Sequence, residues 1–293
     1  PFSRGVRLKR MGPVGRPSSP TLRTSFDLAK GSFRQDGCRI MGIDHSGQDP
    51  PSEVRGEGDA FDAQALQARL AGGEIAWQIR HYPTVDSTNR LAVGLVREGA
   101  PEGTLVIAES QSAGRGRLQR VWQSPPGLNL YLSVILRPAI ALADAAQVTL
   151  MAGVAVAEMI ADLGIAGVGL KWPNDVQIRG RKVCGILAEA RMEKGGLGAL
   201  VVGIGLNVNI PRDRFDPAHR ASATSLREEA GRTHSRPDVA FALCRHFERW
   251  YRLYLGQGFA TVREAWLARS GMVGKSVRIL FREELQEGRV SGI

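Results

Sequence analysis

The residues best suited to chemistry lie together in Glu109-Ser110-Gln111-Ser112-Ala113-Gly114-Arg115-Gly116-Arg117-Leu118-Gln119-Arg120-Val121-Trp122. Two glycines, Gly114 and Gly116, let a backbone take left-handed angles and lie close to a ligand. Three arginines, Arg115, Arg117 and Arg120, each offer a planar fork of donors that matches phosphate or carboxylate oxygens and keeps its charge. Trp122 ends the stretch with a ring that can stack on another flat ring. A glycine–arginine loop of this kind can clamp a nucleotide-like anion. A solvated basic surface loop has the same composition, so the loop alone does not decide.

Three other polar groups stand where the chain turns. Asp86-Ser87-Thr88-Asn89-Arg90 follows Pro83, and Asp86 or Ser87 is a good N-cap for a helix running to Arg97. These side chains either cap that helix or, beside its free N–H groups, hold the polar head of a small molecule. Lys171-Trp172-Pro173-Asn174-Asp175 brings a lysine, an amide and a carboxylate to one bend. Arg179-Gly180-Arg181-Lys182 makes a hairpin turn into an apolar strand that holds Gly185. Lys171 and Lys182 either solvate turns or meet an anion at a strand end. Gly203-Ile204-Gly205-Leu206-Asn207 is a strand with alternating glycines, a mark of close backbone approach. Val208 stands where a dinucleotide fingerprint needs its third glycine. Asn207 and Asn209 should share one face of an extended chain. Gly271 to Ser276 mimics a phosphate loop, but Arg269 occupies the place of its first glycine.

These groups need a scaffold. Thr104–Ala108 and Asn129–Leu136 are apolar runs on either side of the arginine loop and read as buried strands. Phe61, Ala65, Leu66 and Leu70 follow helical spacing, ended by Gly72 and Gly73, and Ile75–Arg80 alternates like a strand. Leu142, Ala146, Leu150, Val154 and Met159 place a long helix over 141–163. Asp144, Glu158 and Asp162 mark it as a core helix and not a membrane span. Further helices are expected over 238–254 and 262–269. From Ser276 the pattern turns to β. Two strands cannot bury a core alone, so 272–293 reads as the start of a small, truncated β domain.

A length of 293 residues suits one large domain and a smaller one. The net charge of +10 is uneven: residues 1–40 hold nine basic and two acidic residues, residues 41–293 thirty and twenty-seven. Most of the excess belongs to the tail, which is weak ground for nucleic-acid binding by the folded part. Residues 1–60 are rich in Gly, Pro, Ser and Arg with no apolar period, and read as a disordered basic extension. They are compatible with a transit peptide, or with upstream sequence before a start at Met41. They carry no helix-turn-helix pattern. Cys38, Cys184 and Cys244 are odd in number and widely spaced, as in reduced cytoplasmic proteins. Cys184 reads as a core residue, not a nucleophile. The five histidines have no ligand-like spacing, so no resident metal site is expected.

In order, Asp86–Asn89, Glu109–Arg117, Lys171–Asp175, Lys182–Leu187 and Gly203–Asn207 resemble the motifs of biotin protein ligase, also called biotin–[acetyl-CoA-carboxylase] ligase. The resemblance covers about residues 61–293, and five motifs in order are far more specific than any one. It implies an α+β fold over 61–271, a mixed β-sheet flanked by helices of the class II synthetase-like kind, then an SH3-like β-barrel, truncated here. It implies a two-step reaction. Biotin and MgATP give biotinyl-5′-AMP and pyrophosphate; a lysine of a biotin carboxyl carrier protein then takes the biotin as an amide.

Matched by motif, Ser87, Thr88, Asn89 and Gln111 should meet the biotin head. Gly114, Arg115, Gly116 and Arg117 should clamp the adenylate, and Lys182, beside Gly185, should bind the biotin carboxylate or a phosphate oxygen. Trp122 should cover the adenine, Lys171 and Asn174 should bind ATP with Arg117, and Asn207 should help hold ATP and metal. Asp175 should accept the proton of the incoming lysine or orient it. Arg115, Lys182, Asp175 and Lys171 form the implied catalytic set. Acyl-adenylates hydrolyse readily, so the arginine loop should close as a lid. The implied enzyme is monofunctional and cytoplasmic, with no nucleic-acid or membrane partner; a homodimer is compatible with it. A lipoate ligase shares the chemistry, but its glycine-rich histidine segment has no match here. A biotin-responsive regulator is the remaining alternative.

Overall fold

The structure, a computed structural model, describes residues 7–9, 61–193, 196–281 and 284–293. In chain order its elements begin with β1 (Arg7–Lys9), α1 (Ala63–Leu70), β2 (Gln78–Val85), α2 (Thr88–Arg97), β3 (Thr104–Gln111), β4 (Leu130–Leu136) and α3 (Ala145–Asp162). There follow β5 (Val168–Lys171), β6 (Asp175–Ile178), β7 (Arg181–Glu193), β8 (Gly196–Leu206), α4 (Leu226–Ala230), α5 (Arg236–Gln257), α6 (Phe259–Arg269), β9 (Ser276–Phe281) and β10 (Glu284–Gly292).

Seven strands form one mixed sheet in the order β2-β3-β4-β8-β7-β6-β5. β2 and β3 are parallel, with α2 between them in sequence, and the other neighbours are antiparallel. Strand side chains alternate between faces, and here the alternation separates two cores. Leu105, Val134 and Val202 face Val148, Met151, Ala155 and Met159 of α3, with α1, α5 and α6 around them. Their chain neighbours Val106, Ile135 and Val201 face Ala92, Val93 and Val96 of α2. Fully burying one such side chain stabilises by about 1.5–3 kcal/mol. The short α2 covers only part of its face, and the remainder is left for a cleft.

The long helix falls where its period predicts. α3 is apolar over most of its surface because most of it is covered, by the sheet on one side and by α5 and α6 on the other. Glu158, one of the charges that interrupts it, accepts from Trp250 Nε1 (2.7 Å) and Arg269 Nη2 (2.9 Å), and so ties α5 and α6 to α3.

Some boundaries differ from the periodic reading. β2 begins at Gln78, not Ile75, because the Ile75 N–H is taken by Glu248 Oε1 at 2.6 Å. It runs through Pro83, which is tolerated because β2 is the outer strand of the sheet and is paired on one side only among the described residues. At the C-terminal end, β9 and β10 pair antiparallel where the small β domain is expected. A correction concerns Arg7–Lys9, which were read as part of a disordered extension. They pair with β10 at Arg289, Val290 and Gly292. An open strand edge recruits backbone whatever the side-chain period, so the sequence pattern could not flag this. The rest of the stretch 1–60, with Met41 and Cys38, lies outside the described residues.

Candidate active site

Beside α2, strands β4, β8, β7 and β6 floor a cleft of about 820 Å³. The alternating glycines explain the floor. Gly185 on β7 stands opposite Gly205 on β8, and the Trp122 indole lies over the pair. A Cβ built at Gly205 would come within 2.6 Å of that ring, and one at Gly185 within 3.0 Å. The indole Nε1 is buried with no hydrogen-bond partner among the described residues, an unpaired donor at the base of the cleft.

Lys182 enters from the start of β7, and its backbone is fixed on both sides. Its N–H donates to Ser222 O (2.8 Å), and its C=O accepts from Thr224 N–H (2.9 Å). Its ammonium lies 2.6 Å from Asp175 Oδ1 and 5.3 Å from the centre of the Trp122 ring. Asp175 reaches it because β6 pairs with β7 so that Asp175 opposes Gly185. The adjoining segment is locked by Glu229, whose carboxylate is fully buried. That carboxylate takes Arg181 Nη2 (2.7 Å), Thr224 Oγ1 (2.7 Å) and Arg179.

The arginine loop rises over these groups. Its neck closes where Trp122 N–H donates to Gly114 O at 2.9 Å. Gly114 has to lack a side chain there, since a Cβ would sit 2.4 Å from Trp122 O. The left-handed backbone expected of the glycines falls instead on Leu118 and Gln119, with φ of 54° and 59°. For side-chain-bearing residues that costs roughly 1–2 kcal/mol each. Leu118 and Val121 are 81% and 79% exposed at the loop tip. Arg115 Nη1 donates to Glu189 at 3.2 and 3.3 Å, and Arg117 Nη1 reaches Asn174 Oδ1 at 3.4 Å. Asn174 is itself held by its Nδ2, which donates to Ile186 O at 2.9 Å.

At the polar end, Ser87 is the N-cap of α2 by backbone, but its hydroxyl makes no capping bond and the residue lines the cleft. Thr88 N–H and Oγ1 both donate to Gln111 Oε1, at 2.9 and 3.1 Å, and Gln111 Nε2 donates to Ser124 Oγ at 2.9 Å. Asn89 Nδ2 donates to Leu187 O (3.1 Å) and Glu189 Oε2 (2.9 Å), while Ser133 Oγ lies 2.7 Å from its Oδ1. The amide of Asn89 is therefore engaged by protein, whereas the Ser87 hydroxyl has no hydrogen-bond partner among the described residues.

The cleft gathers Ser87, Thr88, Asn89, Gln111, Arg115, Gly116, Arg117, Trp122, Lys171, Asn174, Asp175, Lys182, Gly185 and Asn207. Gly114 sits behind it in the loop neck. Asn207 Nδ2 donates to Thr224 O at 3.0 Å, and its Oδ1 takes no hydrogen bond from the described residues. Asn209 does not share its face. β8 ends at Leu206, and the chain then turns so that Asn209 brackets His234, donating to its O at 2.7 Å and accepting from its N–H at 2.9 Å. Phe215 and His219 also line the cleft, from an irregular segment with no period to reveal them. Gly203 belongs to the floor as well, and its place in the glycine alternation was the available signal. Burial pushes the Cys184 thiol up, which fits a core residue. Among the described residues no group of three or more His, Cys, Asp or Glu gathers for a metal.

Residues 82–207 match the family model described as the biotin/lipoate A/B protein ligase family. The bifunctional ligase/repressor BirA of Bacillus subtilis is 37% identical over 262 residues, covering 89% of this chain and 76% of that protein. The biotin–[acetyl-CoA-carboxylase] ligase of Paracoccus denitrificans is 36% identical over 198 residues, 66% of this chain and 80% of its own. The solved structure of biotin protein ligase from Aquifex aeolicus in complex with biotin and ATP aligns with a TM-score of 0.64 at 29% identity, over 74% of this chain and 88% of that one.

Proposed function

The chain belongs to the biotin/lipoate A/B protein ligase family, and on that premise we propose that it is an ATP-dependent biotin–[acetyl-CoA-carboxylase] ligase. A carboxylate oxygen of biotin attacks the α-phosphorus of ATP, and pyrophosphate leaves. The amine of a carrier-protein lysine then attacks the acyl carbon of biotinyl-5′-AMP, and AMP leaves.

The observation that carries this reading is the convergence of Lys182 and Arg115, from separate hairpins, on one cleft floored by glycine backbone. The first step brings anions together, and fixed cations in a site screened from water offset their repulsion. Lys182 and Arg115 face the biotin carboxylate and α-phosphate, with Arg117 beside them. Losing one such contact costs about 3 kcal/mol, on the order of a hundredfold in rate. Ser87 and Gln111 meet the biotin head, while Asn89 shapes the floor beneath it. Trp122 supplies the apolar wall. Asp175 takes the proton of the incoming amine or orients it.

ATP arrives with Mg²⁺, which offsets phosphate charge. The residues fit such an ion: the Oδ1 of Asn207, which takes no hydrogen bond from the described residues, is an oxygen donor in the cleft, and magnesium uses few protein ligands beside substrate phosphates. The partner is the carrier protein of a biotin-dependent carboxylase. The buried, unpaired Cys184 and Cys244 support a reducing, cytoplasmic setting. DNA binding is not part of the proposal.

The test is pyrophosphate release with biotin or lipoate, with and without a biotin carrier domain. Release is expected with biotin and biotinylated carrier should follow. Release driven by lipoate alone would overturn the substrate assignment.

A further inference from the structure

We propose that Glu189 is a positioning residue for the first half-reaction, acting through Arg115. The inference rests on the adenylate-forming reading above. Glu189 lies on β7, two and four residues beyond Leu187 and Gly185, so its side chain stands on the cleft face of the sheet. Its side chain is only 19% exposed, and a charge taken that far out of water needs partners.

The partners differ in kind. Asn89 Nδ2 anchors Oε2 at 2.9 Å, and Asn89 is itself held by Leu187 O at 3.1 Å and by Ser133 Oγ at 2.7 Å. Glu189 is therefore fixed to the floor. Arg115 sits on the loop with the exposed tip and meets both carboxylate oxygens through one nitrogen, at 3.2 and 3.3 Å. Arg191 Nη2 stands farther off, 3.9 Å from Oε1. Among the described residues the Arg115 guanidinium is hydrogen-bonded through Nη1 alone, which leaves its other N–H groups for an incoming anion, unlike a two-nitrogen fork.

The contacts also form a circuit. From Arg115 it runs through Glu189, Asn89, Ser133, Thr88 and Gln111 to Ser124, whose hydroxyl donates to Trp122 O at 3.0 Å. Both ends of the arginine loop are tied to the same floor, and Glu189 is the charged link. Its role is to aim Arg115 across the cleft before substrate arrives, so that orientation is set in advance.

The test uses Glu189→Gln in the full chain, which keeps the volume and the acceptor for Asn89 but removes the charge. For biotin-dependent pyrophosphate release, kcat should fall about tenfold while KM for biotin stays within about threefold. Melting temperature should hold within about 2 °C, and transfer from supplied biotinyl-5′-AMP to carrier should fall less than release. In an Arg115→Ala background, Glu189→Gln should change the single-turnover rate by less than about twofold, because linked residues are not additive. Wild-type rates in Glu189→Gln would overturn the proposal. So would an equal loss in both backgrounds, or a rate loss that only tracks a large drop in melting temperature. If wild type itself releases no pyrophosphate with biotin, the ligase reading fails instead.

Discussion

Gly203→Ala should unseat Asn89. A Cβ at position 203 would lie 2.0 Å from Asn89 Oδ1 and 2.8 Å from its Cγ. Carbon–oxygen contacts need about 3.3 Å, so something must move by over about 1 Å. Asn89 is 4% exposed at the start of α2 and cannot swing into water. A shift of that size breaks its bonds to Leu187 O, Glu189 and Ser133. Two neutral bonds at about 1 kcal/mol each and one to a charged acceptor at about 2 kcal/mol give a loss of about 4 kcal/mol. Replacing a strand glycine returns about 0.5–1 kcal/mol of chain entropy, leaving about 3 kcal/mol. For a protein of this size that is a melting temperature lower by about 6–12 °C. Gly205→Ala is the contrast. Its Cβ meets the Trp122 ring at 2.6 Å, but that ring sits on a loop that can lift. It should weaken biotin-dependent pyrophosphate release with a smaller change in melting. A Gly203→Ala protein that melts within about 2 °C of wild type would refute the wedge.

The other predictions are more direct. Lys182→Ala should lower adenylate formation on the order of a hundredfold, while Asp175→Ala should spare that step more than transfer to the carrier; equal losses in both assays would undo the division of roles. Glu229→Ala removes a fully buried carboxylate, but its partners Arg179 and Arg181 are 56% and 29% exposed and can turn to water. The cost should sit near the low end for a broken buried pair, about 2–3 kcal/mol, and an unchanged melting curve would count against it. Burial alone would raise the carboxyl pKa of Glu109, but hydrogen bonds from His81 and Arg236 outweigh it and hold the group below its ordinary 4.5. A depressed folded value stabilises above the unfolded pKa, and that stability is lost as pH falls through the folded one. Melting of wild type should thus fall more steeply below about pH 5 than that of Glu109→Gln, and parallel curves would sink the assignment.

The site was more legible than the pairings that build it. Glycine alternation at 203 and 205, the glycine–arginine loop and the turn lysine each carry a local signal, and all line one cleft. Glu189 stood at the end of a recognised apolar strand and gave no signal, because its partners Asn89 and Arg115 lie 100 and 74 residues away. Ser133 was hidden in the same way within a run of apolar residues. Asn209 was misplaced because extended periodicity was carried past Leu206, where the sheet ends. The strand at Arg7–Lys9 escaped because edge pairing asks little of side chains.

The central helix has a consequence for how the molecule can be divided. Leu142–Asp162 has a mean hydropathy of 1.3, as oily as a bilayer span, yet it lies 67% covered by protein. α5 and α6 are its roof, so they cannot be treated as an appendage to the catalytic sheet. A fragment stopped before Arg236 would offer water a greasy ridge of the kind that drives clumping. Residues 61–235 made alone should sediment with the insoluble fraction, and their recovery as a soluble monomer would show that the roof is dispensable.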